Sequence, residues 1–259
     1  FDSEKAKVIE KELLEMTHGN KVRDFFPWNL YFADVFRKNG GFDVVIANPP
    51  YLGEKGHKDI FQGIVQGNLG RFYKRRMDLF YFFFHLTLNL STHNAQIAFI
   101  TTNYYPTADG AQKLRTDFKQ RAVIRTLVNF HELRIFETAL GQHNMITILT
   151  KTEDENAIAQ MSINMRKGIA TAETLNNILS GQDEQTVYSF VTQKDLYKGS
   201  WNYIRGFTSV EHNRNPDPVL AKIATEGEIL KNYCKVESGI QTGLDRITNK
   251  HLKKYPRLP

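Results

Sequence analysis

The sequence is poor in cysteine and has no apolar run long enough to cross a membrane. Cys234 is the single cysteine among 259 residues, which excludes an internal disulfide and any multi-cysteine zinc site and suits the cytosol. The longest apolar run, LFYFFFHLTLNL from Leu79, is too short for a bilayer and predicts a buried helix. The N-terminus shows neither a signal-peptide pattern nor an initiator methionine. We therefore expect a cytoplasmic protein, of which this chain is a piece.

The composition favours a folded chain with a positive balance of charge. Hydrophobic residues make up 41% and charged residues 24%, so a packed core is feasible. The formal net charge of +6 permits an anionic partner such as nucleic acid. The histidines at 57, 93, 131 and 143 show no metal-ligand spacing, and no metal site is predicted.

Strands alternate with helices over the first 151 residues. Apolar patterning predicts strands and helices in this order: a helix at 4–16, a strand at 42–47, a helix at 75–90, a strand at 96–102, a helix at 109–121, and strands at 123–130 and 144–151. Residues 52–70 contain five glycines and little periodicity, which predicts a loop or a partly ordered excursion. This alternation is typical of a doubly wound α/β sheet, in which ligands lie beyond the carboxyl ends of the strands.

The pattern changes after residue 151. Short strand-like pieces surround a predicted helix near 172–180, and NRNPDP at 213–218 resembles a domain boundary because two prolines stand between polar residues. We therefore expect three segments, residues 1–155, 156–212 and 213–259.

The segment FDVVIANPPY, residues 42–51, ends a predicted buried strand with a rigid turn. Pro49 and Pro50 have no N–H to donate and hold φ near about −65°. The exocyclic amino group of adenine is a poor nucleophile, and an enzyme can activate it by accepting both of its N–H bonds. The Asn48 amide oxygen and the Pro49 carbonyl would be the two acceptors, and a base stacked on Tyr51 would gain about 1–3 kcal/mol. The turn therefore predicts a clamp for a planar amino group.

Several segments resemble one family. FDVVIANPPY resembles the signature of amino-methyltransferases that use S-adenosylmethionine, in particular N6-adenine DNA methyltransferases of the large fused restriction–modification and phage-defence type. Three further segments are similar to that family: FPWNLYFADVF, MDLFYFFFHLTLNL with AQIAFITTNYY, and NFHELRIFETALGQHNMITIL. The resemblance covers about residues 25–150, and VESGIQTGLDRI (236–247) is similar to the opening of the family's DNA-recognition domain.

The resemblance implies a partial Rossmann-like methyltransferase fold. Residues 1–155 would be the C-terminal part of the catalytic domain, 156–212 its extension and connector, and 213–259 the start of the target-recognition domain. The partners implied are double-stranded DNA and restriction or defence components, without a membrane. The target adenine would leave the stack, because its amino group cannot be reached inside the duplex.

The resemblance also implies roles for individual residues. Asn48 and Pro49 would accept from the adenine amino group, and Tyr51 and Phe136 would hold the two faces of the flipped base. Asp34 would hydrogen-bond the adenine ring of the methyl donor. Pro50 would also help to place the methyl donor. Asn48, Pro49 and Tyr51 would therefore be catalytic, Tyr51 and Phe136 would bind the substrate, and Asp34 and Pro50 would bind the donor.

The chain departs from the family pattern in one respect, and three alternatives stay open. The family's glycine-rich donor-binding motif is absent before residue 42, so the donor pocket is expected to be incomplete. The same clamp would suit an RNA base or a protein glutamine, and a non-catalytic recognition piece is the third alternative. The basic stretch RFYKRRMD (71–78) is consistent with phosphate contacts, with part of a flap, or with a solvated helix start. Asp78 in it matches the family's aspartate or an N-cap.

Overall fold

The computed structural model describes residues 3–18, 26–137 and 143–204. The helices are Ser3–His18 (α1), Trp28–Tyr31 (α2), Ala33–Asn39 (α3), Lys58–Gln66 (α4), Leu79–Leu90 (α5), Gln112–Arg121 (α6), Ala172–Leu179 (α7) and Gln193–Leu196 (α8). The strands are Phe42–Ala47 (β1), Ser91–Thr102 (β2), Val123–Asn129 (β3), Leu133–Arg134 (β4), Asn144–Thr150 (β5), Ile158–Asn164 (β6), Gly168–Ile169 (β7), Thr186–Thr192 (β8), Tyr197–Lys198 (β9) and Tyr203–Ile204 (β10). Short 3₁₀ helices lie at Asn68–Phe72 and Asp109–Ala111. The predicted segment 213–259 lies outside the described residues.

Six strands form one mixed sheet in the order β1-β2-β5-β3-β6-β8. The pairs β1–β2 and β3–β6 are parallel, whereas β5 runs antiparallel to both β2 and β3. Strand β8 runs antiparallel to β6. The predicted α/β class is confirmed. None of the helices in the described part of the chain combines the length and apolar character that a bilayer crossing requires.

Most predicted elements appear within a few residues of their expected bounds, but two predictions are wrong. The strand at 42–47, expected to be buried, has no buried residue, because β1 is an edge strand with a neighbour on one side only in the described sheet. Residues 52–70, expected to be a loop, contain α4 and a 3₁₀ helix. The helix forms because Phe61 and Ile64 lie one turn apart and pack against the core. The five glycines made this short amphipathic pattern hard to recognise in the sequence. In the structure Gly63 lies within α4, and no atom stands within 4 Å of a Cβ added there.

Helix α5 fills the interior on one face of the sheet. Phe84 is fully buried; it stacks on Phe99 of β2 with ring centroids 4.4 Å apart and meets Phe118 of α6 edge-on at 5.0 Å. The apolar run that begins at Leu79 is therefore a core helix, as the sequence predicts.

The α5–α6 contact also holds a buried polar group. The His85 ring is fully buried, donates from Nδ1 to Asp117 Oδ2 at 2.5 Å, and stacks on Phe72 at 3.8 Å. Arg121 bonds both oxygens of Asp117 at 2.6 Å. Burial raises the pKa of Asp117, but hydrogen bonds from His85 and Arg121 outweigh it and lower the pKa below its ordinary value. Burial lowers the pKa of His85 more than Asp117 raises it, which favours the neutral ring, and its Nε2 has no partner among the described residues.

Two glycines provide a matched test of close backbone packing. A Cβ on Gly110 would lie 2.0 Å from the carbonyl oxygen of Arg76, whereas one on Gly63 would meet nothing within 4 Å. We expect Gly110→Ala to destabilise the chain by more than about 1 kcal/mol, because backbone must move apart. Gly63→Ala should be neutral or stabilise it by up to about 1 kcal/mol through helix propensity. Urea unfolding of both variants measures the difference, and equal stabilities would contradict this packing.

Candidate functional site

The turn that follows β1 lies at the carboxyl edge of the parallel pair β1–β2. Ala47, the last residue of β1, pairs with Phe99, and β2 continues to Thr102. Asn48 is exposed and Pro49 is buried. The turn is tied to the start of α5, since the Leu79 amide donates to the Leu52 carbonyl at 2.8 Å. The sequence-predicted motif therefore lies where α/β sheets bind their ligands.

Asn48 and Tyr51 are joined directly. The Tyr51 hydroxyl donates to Asn48 Oδ1 at 2.7 Å and lies 3.2 Å from the carbonyl oxygen of Ile100. The half-buried Tyr51 ring meets Phe80 edge-on, with centroids 6.4 Å apart. No donor among the described residues bonds the Pro49 carbonyl oxygen. The two acceptors predicted for an amino group therefore lie in consecutive residues, one engaged by tyrosine and the other without a partner in the described structure.

Two polar residues beside this turn were missed by the sequence analysis. Thr102 and Asn144 are directly paired across β2 and β5, and both are buried. Their side-chain atoms Oγ1, Oδ1 and Nδ2 have no hydrogen-bond partner among the described residues. Burial raises the pKa of the Tyr51 hydroxyl, and the nearby Asn144 amide partly opposes that rise. Only the pairing of β2 with β5 brings Asn144 to Tyr51, so local sequence carried no signal for it.

The other predicted site residues lie outside the hydrogen-bonded pair of Asn48 and Tyr51. Asp34 lies in α3 with 73% of its side chain exposed and pairs with Arg37 at 2.6 Å. Phe136 is half-buried just before residues 138–142, which are outside the described part. No ring contact in the described chain joins Phe136 to Tyr51. Pro50 is exposed beside Pro49. Their roles toward donor and base remain predictions.

A cleft of about 720 Å³ opens beside the turn, lined by Gly53, Glu54, Lys55, Lys58, Arg75, Arg76, Met77 and Asp78. Four of these residues are cations, which suits an anionic ligand. The first half of the basic stretch at 71–78 contacts aromatic rings and does not line the cleft. Arg71 lies over the Phe72 ring at 4.7 Å, and Lys74 lies over the Trp201 ring at 3.9 Å. The cleft therefore takes its arginines from the second half of that stretch.

Asp78 lines the same cleft, and its side chain does not cap helix α5. It precedes α5, but its side chain makes no capping hydrogen bond. Burial raises the pKa of its carboxyl group, opposed by a hydrogen bond with Tyr81. The alternative prediction, that the Asp78 side chain caps the helix, is therefore wrong.

Comparison with known proteins assigns the family. The model of the Eco57I restriction-modification methylases matches residues 2–136, which include the whole β1 turn. The chain belongs to the Eco57I restriction-modification methylase family. The fold of this family member is a partial Rossmann-like fold of the kind found in S-adenosylmethionine-dependent methyltransferases, as expected from the sequence.

Several solved structures resemble this Eco57I-family chain at low identity. A modification subunit assigned to a type I restriction enzyme of Vibrio vulnificus YJ016 is 14% identical, with a TM-score of 0.48 over 67% of this chain and 41% of that one. The type I methyltransferase subunit from Streptococcus thermophilus is 13% identical, with a TM-score of 0.45 over 61% and 36%. The Type ISP enzyme LlaGI, solved with a DNA substrate mimic, is 14% identical, with a TM-score of 0.46 over 66% and 19%. The chain thus spans from about a fifth to two fifths of the length of these proteins. No curated protein sequence matched it.

The family implies a methyl donor, and the described residues fit it only in part. The side that would face the methyl acceptor is present in the β1 turn. Beyond β1 no further strand pairs in the described sheet, and the side chains of Val44 and Ile46 are 61% and 78% exposed there. No glycine-rich loop precedes β1 in the sequence. The described residues therefore show no enclosure for a methyl donor, and the β1 turn remains the predicted acceptor side of the site.

Proposed function

We propose that this chain is part of a DNA methyltransferase that transfers a methyl group from S-adenosylmethionine to the N6 amino group of a flipped-out adenine in double-stranded DNA. It would serve a restriction–modification or phage-defence system. One observation carries the proposal: Asn48 Oδ1 and the Pro49 carbonyl, held beside an aromatic residue whose hydroxyl is 2.7 Å from the amide, lie at the carboxyl edge of β1. Family membership supports the methyl transfer.

The residues of the turn would orient the amino group. Asn48 Oδ1 would accept one of its N–H bonds and the Pro49 carbonyl the other, so that the nitrogen lone pair turns away from the ring and the positive charge that grows on the nitrogen is stabilised. The stiff proline pair keeps the second acceptor in place. Tyr51 and Phe136 would hold the two faces of the base. The bound donor supplies the methyl group.

The donor side of the site would be completed by protein outside the described residues. We propose that Asp34 and Pro50 contribute to it, that a further strand pairs with the free edge of β1, and that another part of the same protein packs on the exposed Val44 and Ile46. An exposed apolar edge strand is a liability that proteins cover or charge. The exposure of these two apolar side chains on the described edge supports this proposal.

The cationic cleft beside the turn would contact the DNA backbone. Phosphate contacts position a protein on a duplex, while base flipping delivers the target to the pocket. The cleft is lined by residues 53 and 54, which follow the turn closely in the chain, so a strand bound there would pass close to Asn48. The recognition sequence would be read in the segment after residue 213.

The proposal is tested by identifying the methylated product. The gene is extended upstream and downstream, and the protein is incubated with labelled S-adenosylmethionine and duplex DNA of mixed sequence. The DNA is then digested to nucleosides. Label in N6-methyladenine supports the proposal. Label in an RNA base or a protein glutamine instead would establish one of the alternative substrates, and donor binding without any label would favour a recognition piece.

The cleft makes a separate prediction about salt dependence. We expect Arg75→Gln with Arg76→Gln to weaken binding to duplex DNA and to lower the slope of log K against log salt by up to about 0.9 for each phosphate that the protein no longer neutralises. Lys119→Gln with Lys194→Gln removes the same charge from a cleft lined also by Glu153–Glu155 and should leave the slope unchanged. Fluorescence anisotropy at several salt concentrations measures both pairs. Equal slopes would remove the cleft from the DNA interface.

A further inference from the structure

A second cavity continues the cationic cleft along helix α4, and we name it the α4 groove. Its volume is about 410 Å³, and three of its residues, Glu54, Lys58 and Arg75, also line the cleft. The remaining lining residues are Phe61, Gln62, Val65, Gln66 and Tyr73. Because the two cavities share residues, a chain molecule held in the cleft has a continuous path into the groove.

Helix α4 contributes one of its faces to the groove. Its lining residues stand at positions 58, 61, 62, 65 and 66, the spacing at which side chains share one side of a helix. Phe61 is buried and adds apolar surface. Gln62 and Gln66, one turn apart, are exposed, and a glutamine amide can both donate and accept hydrogen bonds. This wall therefore presents apolar surface beside two amides.

Tyr73 lines the groove with a ring whose position is fixed from its hydroxyl end. The hydroxyl donates to Glu54 Oε1 at 2.5 Å, and Glu54 Oε2 accepts from the backbone amide of Arg76 at 2.6 Å. The hydrogen bond from Tyr73 lowers the pKa of the Glu54 carboxyl, so the hydroxyl is held by an anion near neutral pH. None of the ring contacts in the described chain involves Tyr73. The ring is therefore oriented by the protein without being stacked on another ring.

The charge of the groove is positive where it joins the cleft. Lys58 and Arg75 are exposed there, and Glu54 is the single acidic residue among those that line the groove. Both oxygens of Glu54 already accept hydrogen bonds from the protein. Two cations against one anion leave this end with a net positive charge, which suits a phosphate group.

An aromatic face, two amides and two cations in one groove match the parts of a nucleotide. Bases stack on aromatic side chains, amide side chains pair with base edges, and lysine and arginine neutralise phosphates. A base inside a duplex cannot use the ring, because its faces are covered by its neighbours in the stack. Flipping of an adenine leaves the opposite base unpaired, so the proposed reaction itself generates an unpaired nucleotide.

We propose that the α4 groove binds one unpaired nucleotide of the DNA, with its phosphate at Lys58 and Arg75, its base on the Tyr73 ring and the base edge at Gln62 and Gln66. The inference rests on the proposed function for the choice of DNA as the nucleic acid. The groove adds a preference for one base to the cationic cleft, which contacts the backbone alone. Helix α4 therefore contributes to sequence preference in addition to the segment after residue 213.

Photo-cross-linking locates the bound base without any activity. A single-stranded DNA oligonucleotide that carries one 5-iodouracil is mixed with the 259-residue chain and irradiated, which joins the base to an aromatic ring stacked on it. Peptide mass spectrometry then identifies the joined residue, which we expect to be Tyr73. A cross-link at other residues alone, or no binding of the oligonucleotide, would overturn the inference. Tighter binding of the matched RNA, with its cross-link at Tyr73, would assign the groove to RNA and would overturn it as well.

Three variants separate stacking on Tyr73 from its hydrogen bond to Glu54. Tyr73→Ala should weaken binding of the oligonucleotide about tenfold, as expected for one lost base–aromatic contact, whereas Tyr73→Phe keeps the ring and should stay within about threefold. Tyr188→Ala is the matched control, because Tyr188 is also half-buried, donates to the Ile178 carbonyl at 2.9 Å, and lies on β8 at the opposite edge of the sheet from β1. Fluorescence anisotropy measures all three. Equal losses for Tyr73→Ala and Tyr73→Phe would mean that the hydroxyl and not the ring face matters, against the inference.

The two glutamines are tested through base preference. Oligonucleotides that differ in one base at the cross-linked position should differ in Kd by about threefold or more, and Gln62→Ala with Gln66→Ala should remove the difference while the cross-link at Tyr73 remains. Gln182→Ala with Gln185→Ala removes two amides from exposed positions just before β8 and should leave the preference unchanged. A preference that survives the loss of Gln62 and Gln66 would show that these amides do not read the base.

The inference and the proposed function fail in different experiments. An extended parent enzyme that methylates no DNA would refute the proposed function, whereas a cross-link at Tyr73 in this chain would still establish the groove as a site for a DNA base. Methylation of DNA without that cross-link would leave the proposed function standing and refute the groove.

Discussion

Asn48→Ala in the extended protein is expected to lower the rate of DNA methylation by about 10²–10³-fold, the usual cost of removing one hydrogen-bonding group that stabilises charge in a transition state. Binding of DNA should change little, because the phosphate contacts lie in the cationic cleft. The loss should therefore appear in kcat and not in KM. Single-turnover transfer of label from S-adenosylmethionine to duplex DNA measures it.

The matched control is Asn176→Ala. Asn176 is an exposed asparagine on α7, so this change removes the same amide from the surface and should leave the rate within about twofold. Thermal unfolding of both variants should agree with that of the parent, since the Asn48 side chain is exposed. A rate for Asn48→Ala within tenfold of the parent would contradict the clamp.

The alternation of strands and helices was visible in the sequence because each element carries its own apolar pattern. The strand at 42–47 has its predicted bounds but not its predicted burial, since it lies at the edge of the described sheet. The apolar helix ends at Leu90 as predicted but begins at Leu79, four residues later than predicted. The turn at Asn48 was equally visible, since a proline pair cannot continue a strand. Local pattern is therefore sufficient where burial and backbone restriction act on neighbouring residues.

Long-range pairing explains what the sequence did not reveal. The buried polar side chains of Thr102 and Asn144 lie side by side because β2 and β5 are paired in one particular register. The residues next to each of them in the sequence gave no signal of this pairing. The order of strands, with β5 inserted between β2 and β3, is likewise a property of the sheet. Helix α4 was missed for a different reason, because its glycines outweighed two apolar residues one turn apart.

Burial also separates two ion pairs that look alike in sequence. Asp34 and Arg37 are three residues apart in a helix, and Asp117 and Arg121 are four apart; both pairs are 2.6 Å long. The first pair is about three quarters exposed, whereas the Asp117 side chain is 6% exposed and also accepts from buried His85. The distance between the charged atoms therefore does not determine how much each pair contributes to the free energy of unfolding.

Asp117→Asn is expected to lower the free energy of unfolding by about 3 kcal/mol, at the lower end of the range for breaking a buried ion pair. The lower end applies because Arg121 is 29% exposed and can regain water. Asp34→Asn should cost less than about 1 kcal/mol, as exposed pairs do. Urea unfolding near neutral pH measures the two variants side by side. Similar losses would mean that the α5–α6 contact is held by its aromatic packing and that the network of His85, Asp117 and Arg121 adds little to it.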